Sequence, residues 1–369
     1  MGDINYNVGY SLDDICIIPA RISRIESREE CDVYYKNFGY FNNGLSSESK
    51  SYIKCPTLPI FTAPMPSVVD ENTIYTYIKS NITPIVPRTV PFNDRIKLCT
   101  LYKVFVAFSL NEMSYFTDNN NIDKLVENSK TCSYKICIDI ANGNMIHLIT
   151  TIEHLKNIYG SNMIIMSGNV ANVYTYSELN LVGCDYVRVS IGTGSACTTA
   201  TNTGIYAPPA TLINECSKLK RKAKIVADGG INSYRNIIKA LALGADYVML
   251  GGMLSTLNDS AGEVVIDENG VKYKKHFGMA SIEGQKALGK DEKSLRAPEG
   301  LVLHNKIKDM SINDFSKNVK SYLQTAMSYC GKRRIFDFIH DNDVKLNVMS
   351  PLCAAQYNQN SNNVTLNII

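Results

Sequence analysis

The chain is predicted to fold as a (β/α)8 barrel, an α/β architecture in which eight parallel strands each lead into a helix. Three observations predict it. Eight short, nearly continuous apolar runs recur along the 369 residues, and stretches with helical spacing lie between them. Glycine or polar residues then cluster at the C-terminal end of one run after another. Strands buried on both faces read as unbroken apolar runs, without the alternation of a half-exposed sheet. In a closed barrel the C-terminal strand ends converge on one face, and that face carries catalysis in this fold. A doubly wound open sheet is the alternative; the repeated clustering at strand ends argues against it.

The runs are, in order, LPIFTA (58–63), ITPIVP (82–87), KVFVAFS (103–109), KICIDIA (135–141), MIIMSGN (163–169), DYVRVS (185–190), KIVADGG (224–230) and DYVMLGG (246–252). Between them, ENTIYTYIKS (71–80), MIHLITTIEHLKNIYG (145–160) and SYRNIIKALALGA (233–245) place apolar residues three and four apart, the helical period. The strand ends carry TAPMPS, DIANGN, SGNVAN, IGTGSACTT, DGGIN and GGML. Residues 1–369 are accordingly read as one barrel domain. The region from about 262 to 305 is longer than a closing loop requires and is read as a flap over the catalytic face. NNGLSSESKS (42–51) and NQNSNNV (358–364) are polar and expected to be mobile. The tail, about 332–369, is expected to supply a packing helix and a partly disordered end.

Composition fits a soluble globular protein. Apolar residues make up 45%, charged residues 20%, and the formal net charge is +3 with both signs interspersed, which gives no basic arm for nucleic acid. The start, MGDINYNVGYSLDD, lacks a signal peptide's basic and apolar segments, and no run reaches membrane-spanning length. The eleven cysteines contain no CxxC, which with that start predicts reduced thiols and a cytoplasmic location. His147, His154, His276, His304 and His340 lack metal-ligand spacing, which argues against zinc.

DGG (228–230) and the glycine pair 251–252 follow the seventh and eighth strands, the loops that commonly hold a phosphate in this fold. Glycine lets backbone N–H groups approach the anion, and a helix start adds favourable partial charge. Tight turns alone are the plainer explanation. Cys197 sits in the Gly/Thr/Ser loop after the sixth strand. A lone cysteine is more often inert, but this setting on the catalytic face favours a nucleophile. Thr198 and Thr199 offer hydroxyls for proton transfer or for loop hydrogen bonds. Asp139 ends the fourth strand, facing either ribose hydroxyls or the start of the next helix. Glu299, in LRAPEG, is by itself an ordinary exposed acid.

Together SLDDICIIPA (11–20), IFTAPMPSV (60–68), CIDIANG (137–143), SGNV (167–170), IGTGSACTT (191–199), ADGGI (227–231) and GADYVMLGGML (244–254) resemble the IMP dehydrogenase and GMP reductase family. The likeness runs from about Gly9 to Gly331. It implies that Cys197 attacks C2 of a purine nucleoside monophosphate, with Thr199 and Glu299 as catalytic partners. It assigns substrate binding to Asp228, Gly229, Gly230, Gly251, Gly252, Gly278, Met279, Arg296 and Gly300, the glycines of the two loops holding the phosphate. It assigns a nicotinamide cofactor, NADPH, to Ser27, Arg28, Arg88, Asp139, Ile140 and Ala141. It places a potassium ion on the carbonyls of Gly192, Gly194 and Cys197, and it implies a homotetramer with Ser27 and Arg28 reaching across a subunit boundary.

Within the family three features resemble the reductase branch. No CBS modules interrupt 87–108, the flap from Met279 to Glu299 is short, and SIEGQKALGKDEKSLRAPEG (281–300) lacks the dehydrogenase Arg-Tyr pair. The resemblance therefore implies conversion of GMP to IMP and ammonia. An IMP dehydrogenase lacking CBS modules, a weakened nucleotide-binding protein and an enzyme for a modified purine nucleotide are the alternatives. The chain departs from the family pattern at Pro66, Ser190, Thr193, Ala200, Ala280, Leu295 and across GIYAPP (204–209).

Overall fold

The computed structural model describes residues 8–42, 52–131 and 133–366. Its centre is an eight-stranded parallel ring: β1 (Ile60–Thr62), β2 (Ile85–Val86), β3 (Phe105–Phe108), β4 (Tyr134–Asp139), β5 (Met163–Val170), β6 (Tyr186–Val189), β7 (Lys224–Asp228) and β8 (Tyr247–Leu250). Each strand pairs with its sequence neighbour, and β8 pairs with β1 through Val248–Leu250 against Ile60–Thr62. The ring closes between β1 and β2 through a bridge at Phe61 and Thr83, with Thr62 N donating to Thr83 O at 3.0 Å. Each of the eight apolar runs supplies one strand, most of them trimmed at the ends, while β4 starts one residue before its run and β5 ends one residue after it. The barrel prediction holds.

Helices α1 (Ile74–Lys79), α2 (Phe92–Tyr102), α3 (Ile122–Thr131), α4 (Ile146–Tyr159), α5 (Val173–Leu181), α6 (Pro209–Ser217), α7 (Tyr234–Ala242) and α8 (Ile312–Tyr329) surround the strands. Local chemistry sets several of their starts. Asn172 caps α5 by accepting from Thr175 N, and Ser311 caps α8 by accepting from Asp314 N. Pro209 occupies the first turn of α6, where its missing N–H costs nothing.

The barrel interior has two ends of opposite character. Its middle and lower layers hold Phe61, Ile85, Phe105, Met166, Val226, Tyr247 and Met249. Tyr35 enters from below and stacks on Tyr247 at 4.9 Å between ring centroids. Lys224 Nζ lies 5.4–5.6 Å from the rings of Tyr35, Tyr186 and Tyr247, so a cation–π cluster plugs this end.

The flap is an antiparallel sheet of β9 (Val264–Ile266), β10 (Lys272–Phe277) and β11 (Val302–Lys306), with a short helix, Ile282–Ala287, between β10 and β11. Buried Lys274 fastens β10 to the body, its ammonium bonded to Leu257 O at 2.8 Å and Ser260 Oγ at 2.7 Å. The tail has more structure than its composition predicts. It forms a helix at Ile335–His340, a strand at Lys345–Val348 and a helix at Pro351–Leu366. The strand pairs antiparallel with Ile15–Ile18, so the two ends of the chain meet at a distance that local pattern does not encode. The helix spans 358–364, expected to be mobile; residues 43–51 of the other polar stretch lie outside the described residues. Among the described residues no helix is long and apolar enough to cross a membrane.

Candidate active site

A cavity of about 810 Å³ opens at the C-terminal ends of the strands. Loops from seven strands reach it, and the flap roofs it. Among its walls are Arg88, Asp139, Ile140, Ala141, Gly192, Gly194, Cys197, Thr199, Asp228, Gly229, Gly230, Gly251, Gly252, Gly278, Met279 and Glu299. Most of the residues singled out in the sequence therefore share one space, although they span more than 200 positions of chain.

The cysteine loop is a short turn closed by backbone hydrogen bonds. Cys197 N donates to Gly194 O at 3.0 Å, and a one-turn helix starts at Thr199 and ends at Gly204, whose φ of 73° suits a residue without Cβ. Cys197 Sγ lies 3.4 Å from Thr199 Oγ1, which donates to Glu299 Oε2 at 3.0 Å. The flap acid reaches this position because its backbone is stitched to the loop. Thr198 N donates to Glu299 O at 3.1 Å, Leu301 N to Ala196 O at 2.9 Å, and Cys197 and Gly300 form an antiparallel bridge. Thiol, hydroxyl and carboxylate thus form a continuous chain from barrel to flap. Such a chain presents a nucleophile with a proton route beside it.

Beneath it lies an ionic network that the sequence reading did not identify. Arg188, buried inside β6, donates Nη1 to Asp139 Oδ1 at 2.6 Å, and Nη2 and Nε to Asp228 Oδ2 at 2.8 and 3.0 Å. Asn169 Nδ2 adds a bond to Asp228 Oδ2 at 2.8 Å. Burial alone would lower the Arg188 pKa; Asp228 and Asp139 outweigh it and hold the guanidinium charged. Asp228 Oδ2 is saturated by these donors, which orients the carboxylate. Asp139 caps no helix, since α4 starts beyond it with Met145 as N-cap. Arg88 Nη1 donates to the Asp139 carbonyl at 3.0 Å, while its Nε is buried without a hydrogen bond. A signal for Arg188 existed: it is the one cation inside the apolar run DYVRVS.

The glycine loops line the same cavity. Gly229 and Gly230 have φ of 95° and 72°, and a Cβ on Gly229 would meet Thr193 Oγ1 at 2.5 Å. Only glycine fits there. Ser190 holds φ of 116°, an unusual value for a residue with a side chain, and its hydroxyl pairs with Thr193 Oγ1 at 2.6 Å. The two departures at 190 and 193 therefore belong together.

Four predicted site residues stand outside the cavity wall. Gly300 acts through its bridge to Cys197. Arg296 is exposed, its backbone held by Gln285 in the flap. Ser27 and Arg28 lie on the surface, where Ser27 caps a single turn and Arg28 approaches Thr325 at 3.4 Å. The stretch 204–209 also lies off the wall; Ala207 N bonds Ile191 O at 3.3 Å, and Pro208 packs on Gly9. Among the described residues no three His, Cys, Asp or Glu side chains cluster as a metal site would.

Residues 113–354 match the model of the IMP dehydrogenase / GMP reductase domain. The chain belongs to the IMP dehydrogenase and GMP reductase family. A GMP reductase of Buchnera aphidicola is 31% identical over 289 residues, covering 75% of this chain and 80% of that protein. A GMP reductase of Vibrio atlanticus is 31% identical over 307 residues, covering 80% and 85%. GMP reductase 2 of Mus musculus is 27% identical over 337 residues, covering 91% and 93%.

Proposed function

We propose that this protein is a GMP reductase-like oxidoreductase that converts GMP, NADPH and a proton to IMP, ammonia and NADP⁺. The observation that carries the reading is the Cys197–Thr199–Glu299 chain, assembled only because the short flap docks on the cysteine loop.

In this reading Cys197 Sγ forms a bond to purine C2 as the C2–amino bond breaks. The thiol proton passes through Thr199 to Glu299 and is returned to the departing amine, which leaves as ammonia. When bound, a reduced nicotinamide would supply hydride for C2; the C2–Sγ bond then breaks, Cys197 leaves as thiolate and regains a proton from solvent, and IMP departs. The backbone at Gly229, Gly230, Gly251 and Gly252 receives the 5′-phosphate, and the oriented Asp228 carboxylate accepts from the ribose hydroxyls. Gly278 and Met279 close over the base. Gly300 positions the cysteine, and Arg296 braces the flap through Gln285.

NADPH is assigned to the wall formed by Arg88, Asp139, Ile140 and Ala141. Arg88 Nε supports this: it is buried, 3.9 Å from Asp139 Oδ2 and without a hydrogen bond, which suits an incoming oxygen. The carbonyls of Gly192, Gly194 and Cys197 are hard oxygen donors of the kind potassium takes. Ser27 and Arg28, remote from their own cavity, fit a role at a neighbouring subunit's site in a homotetramer. A cytoplasmic location belongs to the same reading and rests on the expectation of reduced thiols.

Following reduced nicotinamide by absorbance tests the assignment. GMP should drive NADPH oxidation. Absence of turnover with GMP, together with IMP-dependent reduction of NAD⁺, would overturn it in favour of a dehydrogenase.

A further inference from the structure

His276 stands out among the cavity residues because the chemistry above does not use it. It lies on β10, two residues before Gly278, and pairs in register with Leu303 of β11. The residue is only 2% exposed, yet it borders the cavity. Its Nδ1 is 2.7 Å from Ser67 Oγ. Among the described residues no hydrogen bond reaches its Nε2, and the residue lines the cavity. Its Cε1 lies 3.7 Å from where a Cβ on Gly251 would stand, at one of the two glycine loops.

We propose that His276 is a phosphate-binding residue whose Nε2–H donates to the 5′-phosphate of the nucleotide and whose protonation is coupled to that binding. The inference rests on the nucleotide reading above. In the tautomer this proposal requires, the Ser67 hydroxyl donates to Nδ1 and the ring proton resides on Nε2, where it can meet an anion. Burial pulls the ring's pKa down to about 4, so it is neutral in the free protein. Ser67 and Met65 from the β1 loop, Gly251 from the β8 loop and Leu303 from β11 surround it, and none is charged. Lys274, on the same face of β10, is engaged by Leu257 and Ser260 and has Asp259 and Asp70 nearby. Lys308 lines the same cavity. A phosphate dianion would therefore bring the ring its first close counter-charge and raise its pKa. The resulting gain in affinity is fullest below the free ring's pKa and is lost as pH rises through the bound ring's pKa.

Calorimetry in buffers of different ionisation enthalpy tests this, with GMP and guanosine as probes and His276→Gln as the variant. Gln keeps a donor but cannot titrate. At about pH 6, near histidine's switching range, wild type should take up more protons on binding GMP than the variant does. With guanosine the two should match. The wild type should gain roughly tenfold in GMP affinity over the variant between about pH 7 and pH 5, as a rise of the ring's pKa by about two units on binding requires. Imidazole NMR of the unaltered protein gives a second readout: GMP, but not guanosine, should raise the pKa of one histidine. Equal proton uptake in both proteins with no histidine shift would overturn the proposal while leaving the nucleotide reading intact. Equal binding of GMP and guanosine would overturn both.

Discussion

The two ends of the barrel interior are built from the same strands and behave differently. On β6, Tyr186 belongs to the aromatic floor while Arg188, two residues on, joins the mouth. On β7, Lys224 sits among tyrosine rings below and Asp228 meets Arg188 above. The floor is held mainly by area and ring packing, with one cation, Lys224, set among the rings. The mouth is held by charges that must satisfy each other. Four donors, from Arg188 and Asn169, converge on Asp139 and Asp228, and losing Arg188 leaves two mostly buried carboxylates without their shared counter-charge. Strand ends thus separate stability from function within a few residues.

Breaking the mouth at its reactive end should have the largest effect. Glu299→Gln removes the proton acceptor of the Cys197 chain and should lower kcat with GMP by about 10²–10⁴-fold, leaving the melting temperature nearly unchanged. Breaking the floor should do the converse. Phe61 contacts Phe105, Tyr186 and Tyr247 at 4.7–5.7 Å, and Phe61→Ala should cost about 3–5 kcal/mol in urea unfolding with little change in KM of the folded fraction. Arg188→Met should do both, destabilising by roughly 3–5 kcal/mol and raising KM for GMP, because two carboxylates lose their shared partner.

Acid should reach the mouth as well. The folded His276 pKa, about 4, lies below its ordinary 6.5. The stability tied to that difference is present above about pH 6.5 and lost as pH falls toward 4, at most about 3 kcal/mol. Denaturant titrations at several pH values should show that slope in wild type and not in His276→Gln. The smallest change is expected at the strained turn. Ser190→Gly relieves the positive φ but loses the bond to Thr193, so thermal unfolding should move by no more than about 1 kcal/mol.

The barrel was legible because unbroken apolar runs such as DYVMLGG report double-sided burial directly. The glycine loops were legible because glycine is costly inside strands and helices, and Cys197 because it lies in a Gly/Thr/Ser loop at a strand end that resembles the family's. Glu299 was not legible from its own surroundings; its role arises when backbone bonds carry the flap onto Thr198 and Ala196. Arg188 and His276 were missed for a related reason. Arg188 is one cation in an apolar strand and His276 one of several polar residues in KYKKHF, and what each touches comes from segments far away in sequence. The stretch 204–209, which departs most from the family pattern, turns out to serve the seating of the N-terminal segment outside the cavity wall.

The central claim is that Cys197 carries the purine through catalysis. Intact-mass measurement after acid quenching of protein mixed with GMP tests it most directly. The account predicts an adduct equal to GMP minus ammonia on wild type, mapped to the peptide holding Cys197, and none on Cys197→Ala. An adduct of equal abundance on Cys197→Ala, or GMP turnover by that variant at the wild-type rate, would contradict it.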